Sequence, residues 1–230
     1  MRSPTLLVVA KAPEPGRAKT RLAARTGAEG AATFAAAAFL DTLDAAAATG
    51  WPVVLAMAGD LDHAVQGAEI AAACAPHRTA RQRGDTFAER LVHAHADADA
   101  GEGVVQIGTD TPQVTSADLV RVADLLVDSD AVLGHAEDGG WWALGVREPR
   151  WARVLVDVPM SRPDTGARTY EALVSAGARV AEAGRLADVD TWEDALELAR
   201  TAPGTRAARV VQRIASQREP VPSRDTGEVR

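Results

Sequence analysis

The sequence predicts an α/β domain built on a mostly parallel twisted sheet with helices on both faces. Two observations carry that reading. Five apolar runs of strand length recur along the chain, and segments of helical period separate them. The runs are TLLVVA (Thr5 to Ala10), PVVLAMA (Pro52 to Ala58), GVVQIG (Gly103 to Gly108), AVLGHA (Ala131 to Ala136) and WWALGV (Trp141 to Val146). Between them, Phe39, Leu40, Leu43 and Ala47 share a helical face, as do Leu119, Val122, Ala123 and Leu126. Strands alternating with helices imply parallel crossovers rather than hairpins.

Helix starts are legible as well. Thr86 with Glu89 and Thr191 with Asp194 have the spacing of capping boxes, and Ser116 is placed to cap the helix that follows Pro112. The Ala-rich stretch from Ala31 to Ala48 has a periodic apolar face and reads as helix. In WWALGV, alternation puts Trp142 on the core face with Leu144 and Val146, leaving Trp141 for a ligand. From about Thr201 the pattern fades, so the expected organisation is one domain over 1–200, then a C-terminal helix and disordered tail over 201–230.

Composition narrows the function. The 230 residues carry a net charge of −7 with 47% hydrophobic residues, enough for a sizeable core. Negative balance argues against a general nucleic-acid or anionic-membrane binder. The single cysteine, Cys74, lies in AEIAAACA and reads as a small core residue. No apolar stretch approaches the roughly 20 residues a membrane span needs, and the opening residues are too few for a signal peptide, so the expected location is the cytoplasm.

Against that acidic background, VVAKAPEPGRAKTRL places Lys11, Arg17, Lys19 and Arg21 where the first strand gives way to a helix. Ligands of open α/β sheets bind beyond the carboxyl ends of strands, where loops lead into helix N-termini. Pro13 and Pro15 stiffen this loop, and Gly16 lets backbone approach a ligand without an intervening Cβ. It is not a Walker A loop, because the two glycines which that motif requires would fall on Pro13 and Ala18. The G-x-G-x-x-G dinucleotide pattern is also absent from it.

Acidic loops follow the later strands. IGTDTPQVT puts Asp110 directly after the third apolar run, HAEDGGWWALGV puts Asp138 before Gly139 and Gly140, and LADVDTWEDA carries Asp188 and Asp190. Two carboxylates about 4 Å apart repel by roughly 4 kcal/mol at an effective dielectric near 20, so a crevice that gathers them calls for a cation. Oxygen ligands beside phosphate indicate Mg²⁺ or Mn²⁺. The histidines offer no rival pattern: His93 and His95 lie two apart on a predicted helix and face different ways. Cations, strand-end aspartate and divalent ion together describe a site for a nucleoside di- or triphosphate, with phosphate-linked transfer as its chemistry.

These residues resemble a family of short bacterial GT-A-like transferases, the arsenosugar-biosynthesis-type glycosyltransferases. The resemblance covers about residues 5 to 200 and rests on AKAPEPGRAKTRL, RGDTFAER, IGTDTPQVT, GHAEDGGWWALGV and DVDTWEDA in that order. It implies a nucleotide-diphospho-sugar transferase fold, related to the 2-phospholactate and molybdenum-cofactor guanylyltransferases. It places Lys11, Gly16, Arg17, Lys19 and Arg21 in the nucleotide-binding loop. Asp110 becomes the metal aspartate, with Asp190 of the late D-x-D-T segment as its companion, and Asp138 and Asp110 become the catalytic carboxylates. Gly139, Gly140 and Trp141 match a loop facing sugar or acceptor, and Gly84, Asp85 and Arg90 fall in a further signature. The chain departs from the family at Thr109-Asp110-Thr111, which has one aspartate where many glycosyltransferases of the fold have D-x-D, and at Met160-Ser161-Arg162, where W-S-T is usual.

The implied activity is metal-dependent transfer from a nucleotide-diphosphate sugar to a small acceptor. Alternatives are a nucleotidyltransferase that releases pyrophosphate, and a catalytically silent nucleotide-binding protein. Oligomeric state, donor and acceptor are not legible at this level.

Overall fold

The computed structural model describes residues 3–217. Its centre is strand β1 (Thr5–Lys11), buried on both faces, so that Leu6, Val8 and Ala10 point to one side of the sheet and Leu7 and Val9 to the other. β2 (Val53–Ala58) lies parallel to one edge of β1 and carries β3 (Arg78–Arg81) beyond it. On the other edge β1 pairs in parallel with β4 (Val104–Ile107), which meets β6 (Trp141–Val146) antiparallel. β5 (Ala131–Ala136) and β7 (Val180–Leu186) complete a seven-stranded sheet of order β3-β2-β1-β4-β6-β5-β7. Only β6 runs against its neighbours, so the expected mostly parallel sheet is what the chain forms.

Helices cover both faces. On one side α1 (Thr20–Ala47), α2 (Gly67–Cys74) and α4 (Ser116–Leu126) contribute Phe39, Leu43, Ile70, Leu119 and Val122 to a core with Leu6, Leu55 and Ile107; Cys74 is buried there as expected. On the other, α3 (Phe87–Ala98), a 3₁₀ segment at Pro149–Asp157 and α5 (Thr165–Ser175) pack Leu91, Leu155 and Leu173 against Leu7, Leu133 and Leu144. A third cluster joins the first half of α1 to α6 (Trp192–Thr201) and α7 (Arg206–Ser216) through Leu22, Phe34, Leu198 and Val211. α7 shares that core with α1 and α6; the expected tail lies outside the described residues from 218 onward.

Caps fix where the helices begin. Thr86/Glu89 and Thr191/Asp194 form reciprocal capping boxes at α3 and α6. At α4 the cap is Thr115 rather than Ser116: the Thr115 hydroxyl accepts from the Asp118 backbone N–H, and the Asp118 carboxylate answers the Thr115 N–H. Reading Ser116 as the cap overlooked the box one residue earlier.

The face expected for Trp142 is also corrected. Gly134 sits opposite Ala143 but His135 sits opposite Trp141, so Trp142 is the extra residue of a β-bulge. Trp142 is buried, but with Val105, Ile107 and Val122, while Leu144 and Val146 pack on the opposite face. A Cβ on Gly134 would lie 2.6 Å from the indole, and the Trp142 Nε1–H donates to the Gly184 carbonyl at 2.8 Å.

Candidate active site

The loop between β1 and α1 lies beyond the carboxyl ends of the central parallel strands, beside the point where strand order departs to either side of β1. Glu14 pins it from beneath. This nearly buried carboxylate accepts from the Asp60 backbone N–H at 3.3 Å and from Arg17 at 2.9 Å, and those bonds hold its pKa below the ordinary glutamate range. Gly16 turns the loop at φ 77°. Lys11 donates to the Arg17 carbonyl at 3.2 Å, while the Arg17 and Arg21 side chains are 70% and 78% exposed and open to an anion from solvent.

Lys19 behaves differently from its neighbours. It stands just before α1 in the left-handed region (φ 46°, ψ 52°), a conformation costing a non-glycine residue about 1 kcal/mol. Its side chain is only 9% exposed, and its ammonium lies 2.6 Å from Asp110 Oδ1 and 2.7 Å from Asp190 Oδ1. Burial opposes its charge, but Asp110 and Asp190 outweigh that penalty and hold the pKa above the usual lysine value. The first and last functional segments of the sequence are thus joined through one ammonium.

Asp110 follows β4, and its backbone carbonyl accepts from the Val189 N–H at 2.8 Å, which docks the segment carrying Asp188 and Asp190 beside it. Gln113 fastens the same junction by donating to the Ala187 carbonyl at 2.6 Å. Asp188 belongs to this cluster and has a buried Oδ1 with no hydrogen-bond partner. Burial, then the charges of Asp110 and Asp138, push its pKa up to about 7, with Lys19 pulling the other way.

The Asp138 loop is rigid for reasons that its glycines explain. Asp138 Oδ1 accepts from the Gly140 N–H at 2.8 Å, closing an Asx turn. Gly139 has φ 90°, and a Cβ there would fall 1.8 Å from the Pro163 carbonyl oxygen. Gly166 then donates its N–H to the Gly139 carbonyl at 2.8 Å, so the loop is seated on the start of α5. Ser161, in the segment that departs from W-S-T, takes a left-handed conformation at φ 59°. Trp141 is half-buried, packing partly against the Leu144 face.

Of the sequence-expected residues, Lys19, Asp110 and Asp190 are in direct contact, with Arg21 3.9 Å from Asp190, and Asp138 adds to the negative charge felt at Asp188. Lys11, Arg17 and Arg21 ring the loop without touching Asp110. Asp188 is the residue to which sequence reasoning gave no role of its own, although the D-x-D of LADVDTWEDA announced it. Gly84 and Arg90 meet at the start of α3, where a Cβ on Gly84 would crowd the Arg90 backbone nitrogen at 3.0 Å, and the Glu89 carboxylate accepts from the Asp85 N–H at 2.8 Å.

Among the described residues no three Asp, Glu, His or Cys side chains are gathered as a ready cation cage. Asp110 and Asp190, the expected metal pair, close instead on Lys19. The donor set nevertheless suits a hard divalent ion, because Asp188 keeps a buried Oδ1 without a hydrogen-bond partner in the segment that the Val189–Asp110 backbone bond docks against Asp110. Mg²⁺ and Mn²⁺ take one or two carboxylates together with substrate phosphates, so a full protein cage is not required.

A family model described as "Uncharacterized protein conserved in bacteria (DUF2064)" matches residues 42–162, more than half of the chain. No curated relative matches the sequence. Among solved structures, a candidate nucleotide-diphospho-sugar transferase from Desulfovibrio desulfuricans G20 is 26% identical, with a TM-score of 0.84 over 94% of this chain and 96% of that one. Rv0371c from Mycobacterium tuberculosis H37Rv, in its complex with manganese, is 23% identical with a TM-score of 0.52, covering 87% and 100% of the two chains. A 4-diphosphocytidyl-2C-methyl-D-erythritol synthase from Anaerococcus prevotii DSM 20548 shares 10% identity and a TM-score of 0.55 over 83% and 94%. At those last two identities the likeness is one of fold, and it places the sheet among nucleotide-diphospho-sugar transferase and nucleotidyltransferase architectures. The matched segment runs from within α1 to the stretch between the 3₁₀ segment and α5 and contains Asp110 and Asp138, and with it the chain belongs to the DUF2064 family of proteins conserved in bacteria.

Proposed function

We propose that this protein is a metal-dependent transferase that takes a nucleotide-diphosphate sugar as donor and a small molecule as acceptor. The observation that carries the reading is the meeting of Lys19 with Asp110 and Asp190 beside the unpartnered Asp188, at the carboxyl ends of β1 and β4. A chain of net charge −7 that nevertheless keeps Lys11, Arg17 and Arg21 exposed around this point offers a local anion site. The 26% identical Desulfovibrio protein, matched along nearly its whole length, supports a nucleotide-sugar donor. The resemblance to arsenosugar-biosynthesis-type glycosyltransferases points the same way.

Each group then has a task. Arg17 and Arg21 reach out to the donor's phosphates, each charge-assisted bond contributing about 1.5–3 kcal/mol. Asp110 and Asp188 hold Mg²⁺ or Mn²⁺, which when bound neutralises charge on the pyrophosphate. Asp138 is held by Gly140 through one oxygen, leaving the other to accept the acceptor's proton. Gly139 and Gly140 let the donor sugar approach backbone, and the exposed part of Trp141 offers a stacking surface. The protein works in the cytoplasm in this reading; none of its described helices is long and apolar enough to cross a membrane.

A second reading, a nucleotidyltransferase, draws on one specific observation. The carboxylates near β4 come from separate segments, Asp110 and Asp188, rather than from a single D-x-D. The two readings break different bonds. Phosphorus NMR of the protein with Mg²⁺ and a panel of nucleotide sugars and nucleoside triphosphates separates them: slow release of nucleoside diphosphate from a sugar donor is expected. Pyrophosphate release from a triphosphate selects the second reading, and saturable binding with no turnover of any donor selects a silent nucleotide-binding protein.

A further inference from the structure

We infer that Lys19 is a built-in counter-ion that holds the cation position of the site until a nucleotide phosphate draws it away, so that divalent metal and nucleotide each require the other for tight binding. The inference deepens the transferase reading and rests on it.

Three features of Lys19 carry it. First, its ammonium spans two carboxylates from distant segments, at 2.6 Å from Asp110 and 2.7 Å from Asp190, and so engages the Asp110 oxygen that a divalent ion would need. Second, the arrangement is no surface coincidence: the Lys19 side chain is 9% exposed, whereas Arg17 on the same loop and Arg21 in the first turn of α1 are 70% and 78% exposed, Arg17 pairing with Glu14 and Arg21 standing 3.9 Å from Asp190. Third, its backbone is fixed. Lys19 sits in a left-handed conformation, and three residues later Leu22 is buried in the α1–α6–α7 cluster, which anchors the start of α1 while the long lysine stem keeps its own torsional freedom.

A divalent ion placed on Asp110 would stand against this ammonium as a like charge in a partly desolvated site. Metal alone must therefore draw Asp110 away from Lys19 and leave the ammonium with Asp190 alone. A phosphate changes that balance, because the ammonium has three donors and can exchange Asp110 for a phosphate oxygen while keeping Asp190. Asp110 then joins Asp188 in facing the metal. Thermodynamic linkage makes the effect mutual: whatever factor phosphate adds to metal affinity, metal adds to phosphate affinity.

Substituting Lys19 tests this without any assay of transfer. Mn²⁺ binding is measured by electron paramagnetic resonance of the free ion for wild type, Lys19→Met and Lys19→Gln, without phosphate, with circular dichroism confirming that each variant is folded. Both variants should bind Mn²⁺ at least tenfold more tightly than wild type, and adding Asp110→Asn to either should abolish the gain. Wild type should tighten on Mn²⁺ when inorganic pyrophosphate is added, beyond the ion's own complexation by pyrophosphate, and the variants should tighten far less. Equal or weaker Mn²⁺ affinity in both Lys19 variants overturns the counter-ion role while leaving an Asp110-dependent metal site intact. Absence of Mn²⁺ binding in every protein, with and without pyrophosphate, overturns the inference together with the metal-dependent reading beneath it.

Discussion

Asp188 shows how much a single buried oxygen can disclose. Its Oδ1 has no partner, and its pKa stands at about 7, raised first by burial and then by Asp110 and Asp138. A carboxyl with a raised folded-state pKa contributes stability that is complete below its unfolded value near 4 and is lost as pH climbs through 7. Asp188→Asn removes that loss. In metal-free buffer the variant should melt about 2–6 °C above wild type at pH 8 and close to wild type at pH 4.5, since 1 kcal/mol shifts Tm by roughly 2–4 °C in a domain of this size. Equal melting temperatures at pH 8 would show that Asp188 is not held against its own ionisation. The family resemblance singled out Asp190, while the spacing named Asp188 and Asp190 equally, because nothing in D-V-D tells which aspartate meets a cationic side chain 171 residues away in sequence. Lys19 was likewise visible as one of four cations, but its burial apart from Arg17 and Arg21 follows from the left-handed turn before α1, which no residue pattern announces.

At the scale of elements, β4 and α3 are joined by a polar pair inside the core. His95 on α3 is fully buried, and its Nε2 meets Gln106 Oε1 on β4 at 2.8 Å. Burial lowers the His95 pKa to about 4, with the Gln106 bond opposing. A histidine with a depressed folded-state pKa stabilises the fold above its unfolded value near 6.5 and surrenders that stability as pH falls toward 4. Urea unfolding of wild type should therefore give a lower midpoint at pH 5 than at pH 7, and the paired variant His95→Leu/Gln106→Leu should narrow that difference. Making only the His95→Leu change would leave the Gln106 oxygen buried and unpaired, at about 1–3 kcal/mol. An unchanged pH dependence in the paired variant would place the acid sensitivity elsewhere. Helices α3 and α6 were legible through their capping boxes, and five of the strands through β-branched runs. β3 and β7 were not, because RTAR and VAEAGRL are edge strands with no fully buried residue and no continuous apolar face to mark them. The bulge at Trp142 also escaped the alternation rule, since a one-residue insertion reverses the face of everything beyond it.

For the whole molecule, the parallel arrangement of β2, β1 and β4 is what assembles chemistry from separated segments. It aligns the carboxyl ends of β1 and β4, sends Lys19 and Asp110 to the same rim, and leaves the segment before α6 to bring Asp190 back against them. This convergence was predictable from the strand-helix alternation, while the identity of donor and acceptor is not encoded in topology. The fold places the chain among transferase-like architectures, and the proposed chemistry depends on a metal-bridged pyrophosphate at that rim. Crystals soaked with Mn²⁺ and a nucleoside diphosphate, with anomalous scattering recorded at the manganese edge, test it most directly. One peak in contact with Asp110 and Asp188 and with the diphosphate oxygens, the Lys19 ammonium having moved onto phosphate, is the predicted result. Manganese or diphosphate bound away from Asp110, with Lys19 still bridging Asp110 and Asp190, would contradict it.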